Sequence, residues 1–144
     1  MGSTASTTKF YNTGTVTCDI LSIGLNTKNA FVYMLGGTIN GTTLQGNSSN
    51  DGGHIDLHGG TMTFSDVGLF DPTWVGSPGG YGYYTMDVQG HGTLVVVGRD
   101  LSGEFQQAID DGHITGVSGL TVSYSATSDR TILRVPLGTM VSIH

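Results

Sequence analysis

Short stretches of the chain alternate apolar and polar residues, and each runs through a glycine turn into a threonine. Phe31-Val32-Tyr33-Met34-Leu35 leads into Gly36-Gly37-Thr38-Ile39, and His54-Ile55-Asp56-Leu57-His58 into Gly59-Gly60-Thr61-Met62. Thr85-Met86-Asp87-Val88-Gln89 leads into Gly90-His91-Gly92-Thr93-Leu94, and the phrase is already present in Thr13-Gly14-Thr15-Val16. Alternation with period two marks half-buried strands, so each repeat reads as strand, glycine turn, strand. The residue after the threonine is always apolar (Val16, Ile39, Met62, Leu94), which places these side chains on one face and the threonines on the other. The apolar set is predicted to face inward.

The threonines at 15, 38, 61 and 93 are separated by 23, 23 and 32 residues. A unit of that size cannot bury its own apolar face, whereas stacked copies about 4.8 Å apart can. The expected architecture is therefore an all-β solenoid forming a single domain over 1–144, with a polar start at 1–8 expected to be flexible. A β-sandwich or jelly roll is the alternative, since it also uses short alternating strands and glycine turns, but it gives no reason for equal intervals. Two segments interrupt the repeat. Gly68 to Tyr83, with Pro72, Trp74 and Pro78, reads as a projecting loop. Leu101 to Asp111 carries Leu101, Phe105, Ala108 and Ile109 on one helical face, with Asp100 or Ser102 to cap it and Gly112 to stop it. Strands are expected to resume at Gly119–Tyr124 and Thr131–Val135.

The C-terminal half, from Gly92-Thr93-Leu94-Val95-Val96-Val97-Gly98 through Ala108-Ile109-Asp110-Asp111-Gly112-His113-Ile114-Thr115-Gly116 to Leu120-Thr121-Val122-Ser123-Tyr124, resembles the terminal segment of secreted bacterial β-helix proteins of planctomycetes and cyanobacteria. The resemblance spans residues 50 to 135. It implies a right-handed parallel β-helix and an extracellular or cell-surface role, and it brings no catalytic motif with it.

Composition narrows the partners. With 24 glycines and 11% charged residues, the chain favours strands and turns. Its net charge is -6, and the basic residues Lys9, Lys28, Arg99, Arg130 and Arg134 are scattered, so nucleic acid is not an expected partner. No apolar run approaches a membrane-spanning length, and no membrane insertion is expected. Cys18, the lone cysteine, is expected to act as a small buried hydrophobe.

The best recognition candidates are Phe70, Trp74, Tyr81, Tyr83 and Tyr84, crowded into one aromatic segment of the kind that binds a carbohydrate face or a protein interface; the alternative is a flap that folds back to shield the core with Trp74 as its anchor. His54, Asp56 and His58 point outward together, and Asp87 is placed to stack beside Asp56. Alternate residues of a strand lie nearly 7 Å apart, too far for all three to share one ion without a bend, so a solvated polar face with no metal and no cofactor is expected. The threonine column (Thr15, Thr38, Thr61, Thr93) has the spacing of an ice-binding array, but Asn40 and Val95 interrupt it. Clustered carboxylates, a nucleophile elbow and a phosphate-binding loop are all missing, and the chain is expected not to be an enzyme. A structural or adhesive module follows, forming a homo-oligomer or fibre through its exposed strand ends. The alternative is a carbohydrate-binding module, with polysaccharide as the partner of the segment around Trp74.

Overall fold

A computed structural model of the chain describes residues 7–23, 29–46, 52–70, 84–116 and 119–136. Its strands come in successive tiers. The first tier is β1 (Thr7–Asn12), β2 (Thr15–Thr17) and β3 (Ile20–Ile23); the second is β4 (Asn29–Asn40) and β5 (Thr43–Gly46). The third is β6 (Gly52–Phe64) and β7 (Asp66–Val67), and the fourth is β8 (Tyr84–Val88) and β9 (Thr93–Val97). Then follow α1 (Ser102–Asp110), β10 (Ile114–Gly116), β11 (Thr121–Ser125) and β12 (Arg130–Arg134). Thr7 and Thr8, the last two residues of the start expected to be flexible, pair with Asn29 and Ala30.

Tier lies on tier in parallel. β1, β4, β6, β8 and β10 form one ladder, and β2, the second half of β4, the second half of β6, and β9 form another. A separate sheet holds β3, β5 and β7. Thr15 pairs with Thr38, Thr38 with Thr61 and Thr61 with Thr93, so the recurring threonine is the register mark of the second ladder. These pairings are parallel, whereas a β-sandwich or jelly roll is built from antiparallel ones.

The partners of the threonine-following residues explain the stacking. Ile39, Met62 and Leu94 are buried in register, joined by Met34, Leu57 and Val88 from the first ladder and by Leu44 and Val67 from the third. Full burial of each such side chain is worth about 1.5–3 kcal/mol, gained only when a neighbouring tier covers it. The corners allow the tiers to approach. Gly37 and Gly60 have φ of 72° and 73°, and a Cβ on Gly37 would collide with the carbonyl oxygen of Gly14 one tier away. A Cβ on Gly60 would collide with the carbonyl of Gly37. Gly36, beside it in sequence, faces nothing within 4 Å.

The C-terminal part departs from simple continuation. β11 and β12 form an antiparallel hairpin, and β12 lies antiparallel to β9. The physical reason is connection length: the short turn at 126–129 can join antiparallel strands but cannot carry the crossover that parallel strands need. Asp129 takes a positive φ of 51° in this turn. Thr131, fully buried on β12, accepts from Leu101 N (3.0 Å) and donates to the Arg99 carbonyl (2.8 Å), tying the hairpin to the start of α1.

α1 packs on β10, β11 and β12 with Phe105 and Ala108 buried. It ends in a Schellman arrangement: Gly112, at φ 84°, donates to the Ile109 carbonyl, and His113 N donates to the Ala108 carbonyl. At its start, Asp100 accepts from Ser102 N at 3.0 Å and Ser102 Oγ at 2.5 Å. Those bonds hold the Asp100 carboxyl below its ordinary value of 3.8, the hydroxyl bond chiefly and then the N–H bond, against the opposing effect of burial. Because folding lowers this pKa, the stabilisation is complete above 3.8 and lost as pH falls through the folded-state value. The expected result is that Asp100→Ala lowers the thermal midpoint at neutral pH, and that the gap from the parent narrows as pH falls below 3.8.

The stretch expected to project as a loop begins inside the core. Gly68 N donates to the Leu44 carbonyl, and Leu69 and Phe70 are fully buried. The remainder, from Asp71 to Tyr83, lies outside the described residues.

Candidate functional site

On the outer face of the first ladder, register partners form rows that cross the tiers. One row runs Tyr11, Tyr33, Asp56, Asp87, Thr115, and a neighbouring one runs Phe31, His54, Thr85. The first row is aromatic in the first two tiers and carboxylate in the next two, and the second passes from Phe31 to His54 between the second and third. Tyr11 stacks on Tyr33 with ring centroids 4.7 Å apart, and Phe31 lies parallel to Tyr33 at 6.0 Å. Phe31 meets the His54 ring edge-on at 6.2 Å, so the aromatic ladder borders directly on the ionisable cluster.

In that cluster His54 Nε2 lies 2.7 Å from Asp56 Oδ1, and its Nδ1 lies 2.6 Å from Thr85 Oγ1. A hydroxyl donating to Nδ1 and an Nε2–H donating to Asp56 satisfy both contacts together. His58 Nε2 stands 3.5 Å from Asp56 Oδ1 and 3.1 Å from Asp87 Oδ2. Asp87 also accepts from Gln89 Nε2 at 2.6 Å and from Thr115 Oγ1 at 2.8 Å. Burial pushes the Asp87 carboxyl up, but the bonds from Thr115, Gln89 and His58 outweigh it, and its pKa falls below the ordinary value. The side chains of Asp56, His58 and Asp87 are 20%, 34% and 23% exposed, open to solvent on one side only.

The group that converges is therefore not the one on a single strand. His54, Asp56 and His58 do share the outer face, as their spacing predicts. However, the three groups whose ligand atoms come within 4.8 Å of one another are Asp56, His58 and Asp87, drawn from two tiers. The bend that a shared site requires is present as well, since His58 sits at the corner beside Gly59-Gly60 and its ring leans back over Asp56.

Of the five aromatic recognition candidates, Phe70 and Tyr84 lie among the described residues. Phe70 is fully buried, and Tyr84 is 1% exposed with its hydroxyl donating to the Ile23 carbonyl at 3.0 Å. Both rings belong to the core, and Gly46 and Gly53 leave the space that the Tyr84 ring fills. Trp74, Tyr81 and Tyr83 lie outside the described residues. Cys18 is half-buried and packs against the core.

The two ends of the stack differ. Past the fourth tier, the hairpin pairs with β9, and α1 covers β10, β11 and β12. At the first tier, no strand among the described residues pairs with the outer edges of β1, β2 or β3. Val16 and Leu21 are only partly buried there, whereas their partners Ile39 and Leu44 are 1% and 0% exposed. Tyr11 and Ile20, on the same tier, are 60% and 56% exposed.

Against this geometry, no protein-family model, no curated protein and no solved structure matches the chain.

Proposed function

We propose that the chain is a right-handed parallel β-helix and acts as a non-enzymatic structural and adhesive module, outside the cell or on its surface, that self-associates through its first tier. The handedness follows from the strong preference of parallel strand–crossover–strand connections for the right-handed sense. In-register ladders of the kind formed by Thr15, Thr38, Thr61 and Thr93 support the coiled path, since each turn of a coil returns the same residue to the same edge.

The observation that carries the reading is the difference between the ends. Inward residues that are sealed in the second tier are only partly buried in the first, beside backbone edges that no described strand pairs and the open ring and alkyl group of Tyr11 and Ile20. Such an edge pairs with another strand when one is within reach. A second copy offers the same apolar end. With α1 packed on β10, β11 and β12 at the other end, the first tier is the end we assign to association, as a pair of copies.

The test is sedimentation velocity over a concentration series, with Val16→Lys as the variant. An inward-pointing charge on an edge strand is the device by which natural sheets block such pairing, and Val16 is already partly exposed. The parent is expected to shift from monomer to dimer with concentration, while the variant keeps its far-ultraviolet circular dichroism and stays monomeric. A parent that is monomeric throughout would remove the reading. The carbohydrate-binding alternative has lost Phe70 and Tyr84 to the core, and no geometry among the described residues favours it.

A further inference from the structure

The outer face of the first ladder carries an arrangement that neither stacking nor adhesion requires. We propose that Asp56, His58 and Asp87 form a binding site for a divalent transition-metal ion of the zinc class.

Three observations lead there. First, the donor set is one imidazole nitrogen and two carboxylate oxygens, which suits zinc and its neighbours; calcium and magnesium take oxygen ligands. Second, the spacing is close to that of a tetrahedral site. Bonds of about 2.0–2.1 Å to a tetrahedral ion put adjacent ligand atoms about 3.3 Å apart. His58 Nε2 lies 3.5 Å from Asp56 Oδ1 and 3.1 Å from Asp87 Oδ2, so two of the three edges are already within a few tenths of an ångström. An ion between the carboxylates would draw the third edge in, because it attracts both oxygens.

Third, Asp56 and Asp87 are direct register partners on adjacent parallel strands. Like charges placed opposite each other destabilise a sheet, and a bound cation turns that repulsion into attraction. Each carboxylate also has further partners: His54, which Thr85 orients in turn, bonds the same Asp56 Oδ1 that faces His58, Gln89 bonds the same Asp87 Oδ2, and Thr115 holds Asp87 by its other oxygen, Oδ1. Outer partners of this kind fix ligand direction in metal sites. β6 and β8 are paired strands of one ladder, so the ligands stand on a rigid support. On binding, the ion replaces the proton through which His58 Nε2 meets the carboxylates. Three protein ligands leave a fourth position for water.

The experiment is isothermal titration of the metal-free full chain with zinc chloride, using His58→Gln and Asp87→Asn, and His91→Gln as a control at an exposed corner. One zinc per chain is expected, with affinity reduced at least ~10-fold in each site variant and unchanged in the control. Cobalt(II) in place of zinc is expected to show the intense visible absorption of a four-coordinate ion. The site variants change outward side chains on different strands, and matching far-ultraviolet circular dichroism in the presence of a chelator establishes that they fold. No zinc uptake, uptake that both variants leave unchanged, or tighter binding of calcium than of zinc would overturn the proposal. Val16→Lys is expected to bind zinc like the parent, which separates this result from that of the first-tier association.

Discussion

Gly37→Ala is expected to destabilise the protein by about 3 kcal/mol or more, while Gly36→Ala, one position earlier, raises stability by about 0.4–1 kcal/mol. At Gly37 two costs coincide. Its φ of 72° lies in the left-handed region, which costs a residue bearing a Cβ about 1–2 kcal/mol. The new Cβ would also strike the carbonyl oxygen of Gly14, a backbone atom that cannot swing aside as a side-chain tip can. Relief requires separating the first and second tiers at the corner, weakening the bond from Thr38 N to the Gly14 carbonyl (2.8 Å). At Gly36 neither cost arises: its φ is not positive and its Cβ would meet open space, so alanine acts only by restricting the unfolded chain. Urea unfolding of the three proteins, compared at equal m-value, decides the matter. Equal midpoints for the two variants would mean that the corners do not set the tier spacing.

The same pair of glycines marks what could be read without coordinates. The Gly-Gly-Thr phrase identified the corner between the first and second ladders and the register of the second, because the inward and outward alternation and the 23-residue interval are both properties of the sequence itself. It could not separate Gly36 from Gly37, since their difference lies in which one rests on the tier beneath. Alternation is also blind to strand direction: β11 and β12 were legible as strands, but only the short connection at 126–129 signalled that they run antiparallel. The site was half legible. His54, Asp56 and His58 alternate visibly and the matching strand positions already put Asp87 beside Asp56 across the inserted segment, whereas the approach of His58 to both carboxylates depends on a corner that alternation does not describe. The Tyr11–Tyr33 ladder escaped notice for a related reason. Its interval is 22, because the first corner, between Asn12 and Thr15, is one residue shorter than the next. Asn12 compensates at that tight corner, donating from its buried amide to the Gly14 carbonyl at 3.0 Å.

Phe105→Ala should cost about 3–5 kcal/mol, the range for truncating a buried phenylalanine whose surroundings cannot collapse to fill the space. Phe105 is fully buried at the centre of α1, and α1 is a helix of nine residues, too short to persist without the packing of its apolar face. Its ends are already well determined by Asp100 and the Gly112 turn, so the variant tests packing and not helix propensity. Loss of the ring should loosen α1 from β10, β11 and β12 before the parallel ladders open, because those ladders keep their own buried columns at Leu57, Met62 and Phe64. Hydrogen exchange should therefore show lost protection in α1 and the hairpin first, with β4 and β6 protected up to global unfolding. Uniform loss across the chain would mean that the covered end and the tiers form one cooperative unit. The outcome bears on assembly as well: with α1 loosened, the apolar residues it covers at the far end are bared as those of the first tier are, and Phe105→Ala is then expected to sediment as species larger than the dimer of the parent.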